Sequence, residues 1–229
     1  RKESSAASDV YKRQELNKAL SIYLRTPMET LGSGRTDTGV HARKQVAHFD
    51  LDKDIVNFDR FLMGVNAILP HGIVVNTIEK THDDFHARFE AISRAYRYYI
   101  TKQKNPFGDK QSYVFPKNLD VNAMNEACKC FFDHIDFESF SKIHTEVNNF
   151  NCTIMDAKWI ETREGYVFYI KANRFLRGMV RAVVGTLLQV GVNKMNKEEF
   201  NNVILAKSRQ VAGAAAPADG LFLEEVNYP

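Results

Sequence analysis

The run Gly32-Ser33-Gly34-Arg35-Thr36-Asp37-Thr38-Gly39-Val40-His41-Ala42 holds the side chains of this sequence best placed to do chemistry. Its three glycines allow tight turns and let a ligand come close to the backbone. Between them stands one carboxylate, Asp37, with a guanidinium two residues earlier, Arg35. A phosphate-cradling loop needs a G-x4-G-K-[ST] pattern, and no lysine is placed for it. A carboxylate presented this way can act as a nucleophile. An Asx turn explains one aspartate in such a loop as simply, and local pattern leaves both readings open.

Two other groups bear on the same chemistry. Arg174, Arg177 and Arg181 fall within about 60° of one another if residues 175–190 are helical. That arc lies beside an apolar stripe of Phe175, Met179, Val180, Val183 and Leu187. A guanidinium near a carboxylate favours its ionised form, although arginines often border apolar stripes without any such task. Tyr96 and Tyr98 alternate along residues 94–100, a spacing that on a strand puts both on one face. Such a pair packs a core, or offers a ring on which a displaced base can stack. His41, His48 and His86 read as local hydrogen-bonding residues.

The elements that must hold these groups are mixed in type. Leu16, Ala19, Leu20, Tyr23 and Leu24 recur at helical spacing from residue 15, and Pro27 ends that helix. A short strand is expected at 45–51. A helix follows that is capped by Asn57, stopped by Pro70, and buries Phe58, Phe61, Leu62 and Val65. Residues 73–80 and 89–100 read as strands. Asp120 caps a helix with Met124, Cys128 and Phe131 or Phe132 inward, and residues 157–172 form a hairpin turning at 163–165. The helix at 175–190, a short one at 200–206 and a strand at 221–226 complete the chain. Helices separated by paired strands imply an α+β fold with a largely antiparallel sheet.

The loop GRTDTGVHA (34–42) resembles the GRTDxGVHA signature of the bacterial TruA-type tRNA pseudouridine synthases. The likeness continues in QVAHF (45–49), GVNAILP (64–70), DDFHARFEAISRAYRYYI (83–100), KANRFLRGMVRAVVGTL (171–187) and AAAPADGLFLEEVNYP (214–229). In order, these span residues 15–229. The resemblance implies a cofactor-free isomerase that converts uridine to pseudouridine in the anticodon stem-loop of tRNA, at tRNA positions 38, 39 and 40. Asp37 would be its nucleophile and Arg181 the cationic partner of that carboxylate. Tyr96 would lie beside the displaced uracil, and Arg35 would contact the flipped base and the nucleic-acid backbone. A structural Arg35 that ties the loop down is equally compatible. The fold implied is two RRM-like halves, residues 15–100 and 101–229, whose sheets merge around a central basic cleft in a homodimer. An RNA-binding or chaperone module using the same cleft without catalysis is the alternative. A phosphotransferase is disfavoured, because no second aspartate follows Asp37 at the i+2 position. Residues 1–14 stand where family members carry a first strand, and read as a disordered or non-native leader with that strand missing.

Composition narrows the classes further. Of 229 residues, 44% are hydrophobic and 26% charged, ordinary for a globular protein. No apolar run approaches the roughly 18 residues of a membrane span, so a cytoplasmic enzyme without a membrane partner is expected. Three cysteines lack zinc-knuckle spacing, so no metal is expected and the thiols read as packing residues. The net charge of +3 is small, but no acid occurs between Glu164 and Glu198, where six lysines and arginines fall. A second basic run spans 88–104 with Glu90 its single acid. Such runs suit RNA, with no DNA target implied; a solvated surface accounts for either run equally well.

Overall fold

Leu16, Ala19, Leu20, Tyr23 and Leu24 lie on one side of helix α1 (Ala7–Leu24), and they pack on Phe61 and Val65 of helix α2 (Phe58–Ile68). The Tyr23 ring meets Phe61 edge-on at 5.0 Å. The computed structural model describes residues 7–34, 36–108, 110–143 and 147–229. The helix expected from residue 15 thus begins at Ala7, and residues 7–14 of the segment taken as a disordered leader are helical. Asn57 caps α2 through its side-chain oxygen, which accepts from Arg60 N at 2.8 Å. Phe61 and Val65 are buried as expected, whereas Phe58 is exposed. Strand β1 (Leu31–Gly32) pairs antiparallel with β3 (Ala47–His48), which is all that forms of the strand expected at 45–51. Between them, β2 (His41–Ala42) leaves this unit.

Residues 73–80 form no strand. The Asn66 side chain donates to Val75 O and accepts from Val75 N, both at 2.8 Å, and so takes the place of a neighbouring strand there. Ile73, Val75 and Ile78 still point into the apolar cluster of α1 and α2. The strand expected there is therefore replaced by an irregular segment held by a helix side chain.

The second unit comprises residues 39–44 and 92–229. Its sheet runs β2-β8-β4-β7-β6, with β5 also paired to β4. The strands are β4 (Ser93–Thr101), β5 (Tyr113–Val114), β6 (Ile154–Glu161), β7 (Gly165–Ala172) and β8 (Leu221–Asn227). The β8–β4, β4–β7 and β7–β6 pairs are antiparallel, whereas β2–β8 and β4–β5 are parallel. The chain is therefore α+β with a mixed, mainly antiparallel sheet. Because β4 lies at the centre of this sheet, the division falls between Ala91 and Ile92 instead of near residue 101. Helices α3 (Val121–Cys128), α4 (Met179–Gly191) and α5 (Lys197–Leu205) share one core with the sheet's Tyr98, Phe168 and Ile170. Asp120 caps α3, accepting from Ala123 N at 2.9 Å, and Met124, Cys128 and Phe131 are buried while Phe132 is exposed. All three cysteines are free and buried.

One difference matters for the site. Helix α4 starts at Met179, after Gly178 adopts a left-handed backbone (φ 71°) that a side chain would disfavour. Arg174 and Arg177 precede that break, so the arginine arc expected on a helix over 175–190 does not exist. Arg181 alone of the three is helical.

Candidate active site

In the first unit, successive hydrogen bonds build the loop that carries Asp37. Asn17 of α1 accepts from both the backbone N (3.0 Å) and the hydroxyl (2.7 Å) of Thr30, and Ser21 Oγ accepts from Met28 N at 2.8 Å. These bonds fix the approach to β1. Beyond β1, Ser33 N donates to Val46 O at 2.8 Å and Gln45 Nε2 to Gly34 O at 3.1 Å. Both arms are thereby closed against each other. Thr36 is buried, Asp37 is half-buried and Thr38 is exposed, so the carboxylate stands at the boundary between protein and water. Arg35 lies outside the described residues. His48 accepts from Ala87 N through Nδ1 at 3.2 Å, and His86 Nδ1 accepts from Arg88 N at 3.1 Å. The His86 contact is local, as expected, whereas that of His48 joins segments 39 residues apart.

In the second unit, Arg181 sits half-buried in the first turn of α4. Its Nε donates to Ala216 O at 2.7 Å, and Ala216 N donates back to Arg181 O at 2.9 Å. Residues 213–219 form a strap across α4, and this pair of bonds holds its middle. Gly213 N donates to Thr186 Oγ1 at 2.9 Å, and a Cβ at Gly185 would overlap the Ala214 carbonyl oxygen. Only glycine lets the strap lie this close to the helix. On its other side Tyr98 OH donates to Pro217 O at 2.7 Å. Burial holds the Tyr98 phenol far above its ordinary pKa, while the Arg181 guanidinium acts in the opposite direction. The phenol thus remains a neutral donor, and the charge of Arg181 is felt at its oxygen.

Tyr96 shares the Tyr98 face of β4 but is only half-buried. Its ring meets Phe175 edge-on at 5.1 Å. Tyr98 is fully buried, as the core reading had it, but its hydroxyl also has a positioning task that sequence reasoning missed. The run AAAPADG resembles a family pattern, but nothing in it announces that its carbonyls receive Arg181 and Tyr98. Arg174 reaches Asn149 Oδ1 at 3.5 Å, the Arg177 carbonyl accepts from Lys142 N at 2.9 Å, and Arg177 is exposed. Among the described residues, no three His, Cys, Asp or Glu side chains gather to hold a metal ion, and no helix is long and apolar enough to cross a membrane.

The mixed α+β scaffold agrees with the fold class expected from the sequence. A family model described as tRNA pseudouridine synthase matches residues 127–229. The tRNA pseudouridine synthase A of Parabacteroides distasonis is 48% identical over 216 residues, covering 94% of this chain and 86% of that one. That of Bacteroides fragilis is 46% identical over 215 residues, covering 93% and 85%. The Bacillus subtilis protein of the same name is 40% identical over 218 residues, covering 93% and 88%. The chain belongs to the tRNA pseudouridine synthase A family.

Proposed function

We propose that this protein isomerises uridine to pseudouridine in tRNA, acting on the anticodon stem-loop at tRNA positions 38, 39 and 40. In the net reaction the N1–C1′ glycosidic bond breaks and a C5–C1′ bond forms. C5 loses a proton and N1 gains one, so the product is an isomer and no redox partner or phosphoryl donor takes part. The step needs an anionic nucleophile, and that group is Asp37. Arg181 is the cation that keeps the reacting carboxylate ionised. Tyr96 offers a ring face to the displaced uracil, and Arg35 contacts the extruded nucleotide and its backbone. Extrusion costs a few kcal/mol, which stacking and phosphate contacts offset.

The observation that carries this reading is the course of the chain around Asp37. The chain leaves the first unit after Thr38, adds β2 to the sheet of the second, and returns at Gln45. Gly39, two residues beyond Asp37, lies against Ala218 and Asp219 of the same strap that orients Arg181. Each unit is taken as an RRM-like half, and the surface around Asp37 as a basic cleft. The working form is a cytoplasmic homodimer that recognises RNA by shape and backbone more than by base sequence.

The test is to incubate the protein with unmodified tRNA and map pseudouridine by chemical labelling. New pseudouridine at positions 38, 39 or 40 supports the reading. Tight tRNA binding with no product would leave an RNA-binding module instead.

A further inference from the structure

The connection between β4 and β5 carries an aromatic ring that the fold does not use. Phe107 is 96% exposed, and among the described residues only Val56, which has no ring, is a more exposed large hydrophobic side chain. A single exposed apolar residue is unremarkable in itself, so the setting decides what this one means. Phe107 is the middle residue of a one-turn 3-10 helix, Pro106–Gly108. Asn105 builds that turn: its side-chain oxygen accepts from Phe107 N at 3.0 Å and its carbonyl from Gly108 N at 3.2 Å. Gln111 N then donates to Gly108 O at 3.2 Å. Proline and these bonds limit the freedom of the tip, so little order is lost when the ring meets a partner.

The base of the loop is held as well. β4 and β5 pair in parallel, and the Thr101 and Ser112 hydroxyls lie 3.2 Å apart. His41 of β2 reaches the Lys110 carbonyl with Nε2 at 2.6 Å, while its own ring stacks on Phe222 at 4.5 Å. The loop is therefore braced by the strand that begins four residues after Asp37 in the sequence. Its charge is lopsided: Lys102 is paired with Glu161 at 3.3 Å, and Lys104 and Lys110 stand against one acid in the loop, Asp109. Lys104 and Lys110, on either side of Phe107, are both exposed. A ring between cations suits an unpaired nucleotide, whose base offers a π-face and whose phosphates meet the lysines. A protein partner would be met better by a wider apolar patch.

We propose that Phe107 is a stacking finger, its ring lying on an unpaired base of the tRNA substrate while Lys104 and Lys110 meet the adjoining phosphates. This rests on the tRNA reading above and adds a contact outside the residues assigned to the reaction.

The experiment measures binding of unmodified tRNA, and its conversion, with wild type, Phe107→Ala and Phe107→Trp. One base–aromatic stack corresponds to roughly 5-fold to 100-fold in affinity. Phe107→Ala is expected to raise Kd by a factor in that range and KM in parallel, with Phe107→Trp restoring both. The chain has a single tryptophan, Trp159, which is 3% exposed and stacked on Phe168. Fluorescence from the indole added at position 107 should therefore be quenched by tRNA, and that of wild type should not. If wild type converts tRNA while Phe107→Ala binds and converts it equally well, the stacking finger is refuted and the enzymatic reading stands. Failure of wild type to form pseudouridine would instead refute the reading beneath it. Loss of self-association in Phe107→Ala with unchanged tRNA affinity would assign the ring to a protein contact and overturn the proposal.

Discussion

Tyr98→Phe removes one oxygen and leaves the ring, so it isolates the bond between β4 and the strap. In the native protein that hydroxyl is buried and donates to Pro217 O at 2.7 Å. No cavity forms, and Pro217 is exposed, so its carbonyl can recover a hydrogen bond from water. The stability cost is then that of one neutral bond, about 0.5–1.5 kcal/mol. For a chain of this size that lowers Tm by roughly 1–6 °C. Catalysis should suffer more. The strap carries Ala216 O, which receives Arg181 Nε at 2.7 Å, so a loosened strap lets the guanidinium wander. Small misplacements of a positioned group cost on the order of 10-fold or more in rate, and we expect kcat to fall about tenfold with a smaller change in KM. Burial keeps the native phenol protonated, so the difference between variant and wild type should be constant from about pH 6 to about pH 9. A thermal melt and timed pseudouridine mapping under saturating tRNA measure both effects. A lowered Tm with undiminished kcat would show that the strap does not orient Arg181, and that part of the reasoning would fall.

Two further outcomes follow from packing and burial. Gly185→Ala places a methyl group on the Ala214 carbonyl, so helix and strap must separate; a loss of about 1–3 kcal/mol is expected, and an unchanged melt would show that the strap is not seated as described. Burial pushes the Cys152 thiol up from 9.0 to about 11 and that of Cys128 higher still. Between those values the unfolded chain releases protons that the folded chain keeps, so stability falls as pH rises, by at most ~1.4 kcal/mol per pH unit for each thiol. Urea titrations in reducing buffer should show that slope above about pH 9, shallower in Cys152→Ala, and a flat profile would contradict the burial assigned to these thiols.

Local rules made several elements legible. Asn57 and Asp120 cap their helices with side chains that sequence alone identifies, and the β6–β7 hairpin turns where Gly165 allows it. The misreadings have both non-local and local causes. Residues 73–80 have strand composition, but a helix side chain, Asn66, satisfies their backbone. The apolar period over 175–190 is continuous, yet the backbone at Gly178 starts the helix late. Strand β2 has two residues and pairs in parallel with β8, far along the chain, which no local pattern reveals. The site divides in the same way: motif likeness singled out Asp37, Tyr96 and Arg181, but the strap that orients Arg181 is visible only once residues 213–219 lie across α4.

The nucleophilic role of Asp37 is tested most directly by Asp37→Asn, which removes the charge and keeps the shape. Bound tRNA and pseudouridine should be quantified in the same single-turnover reactions. The expected result is near-normal tRNA affinity with no pseudouridine above background. Product forming at a rate close to wild type would contradict the assignment of the reacting carboxylate.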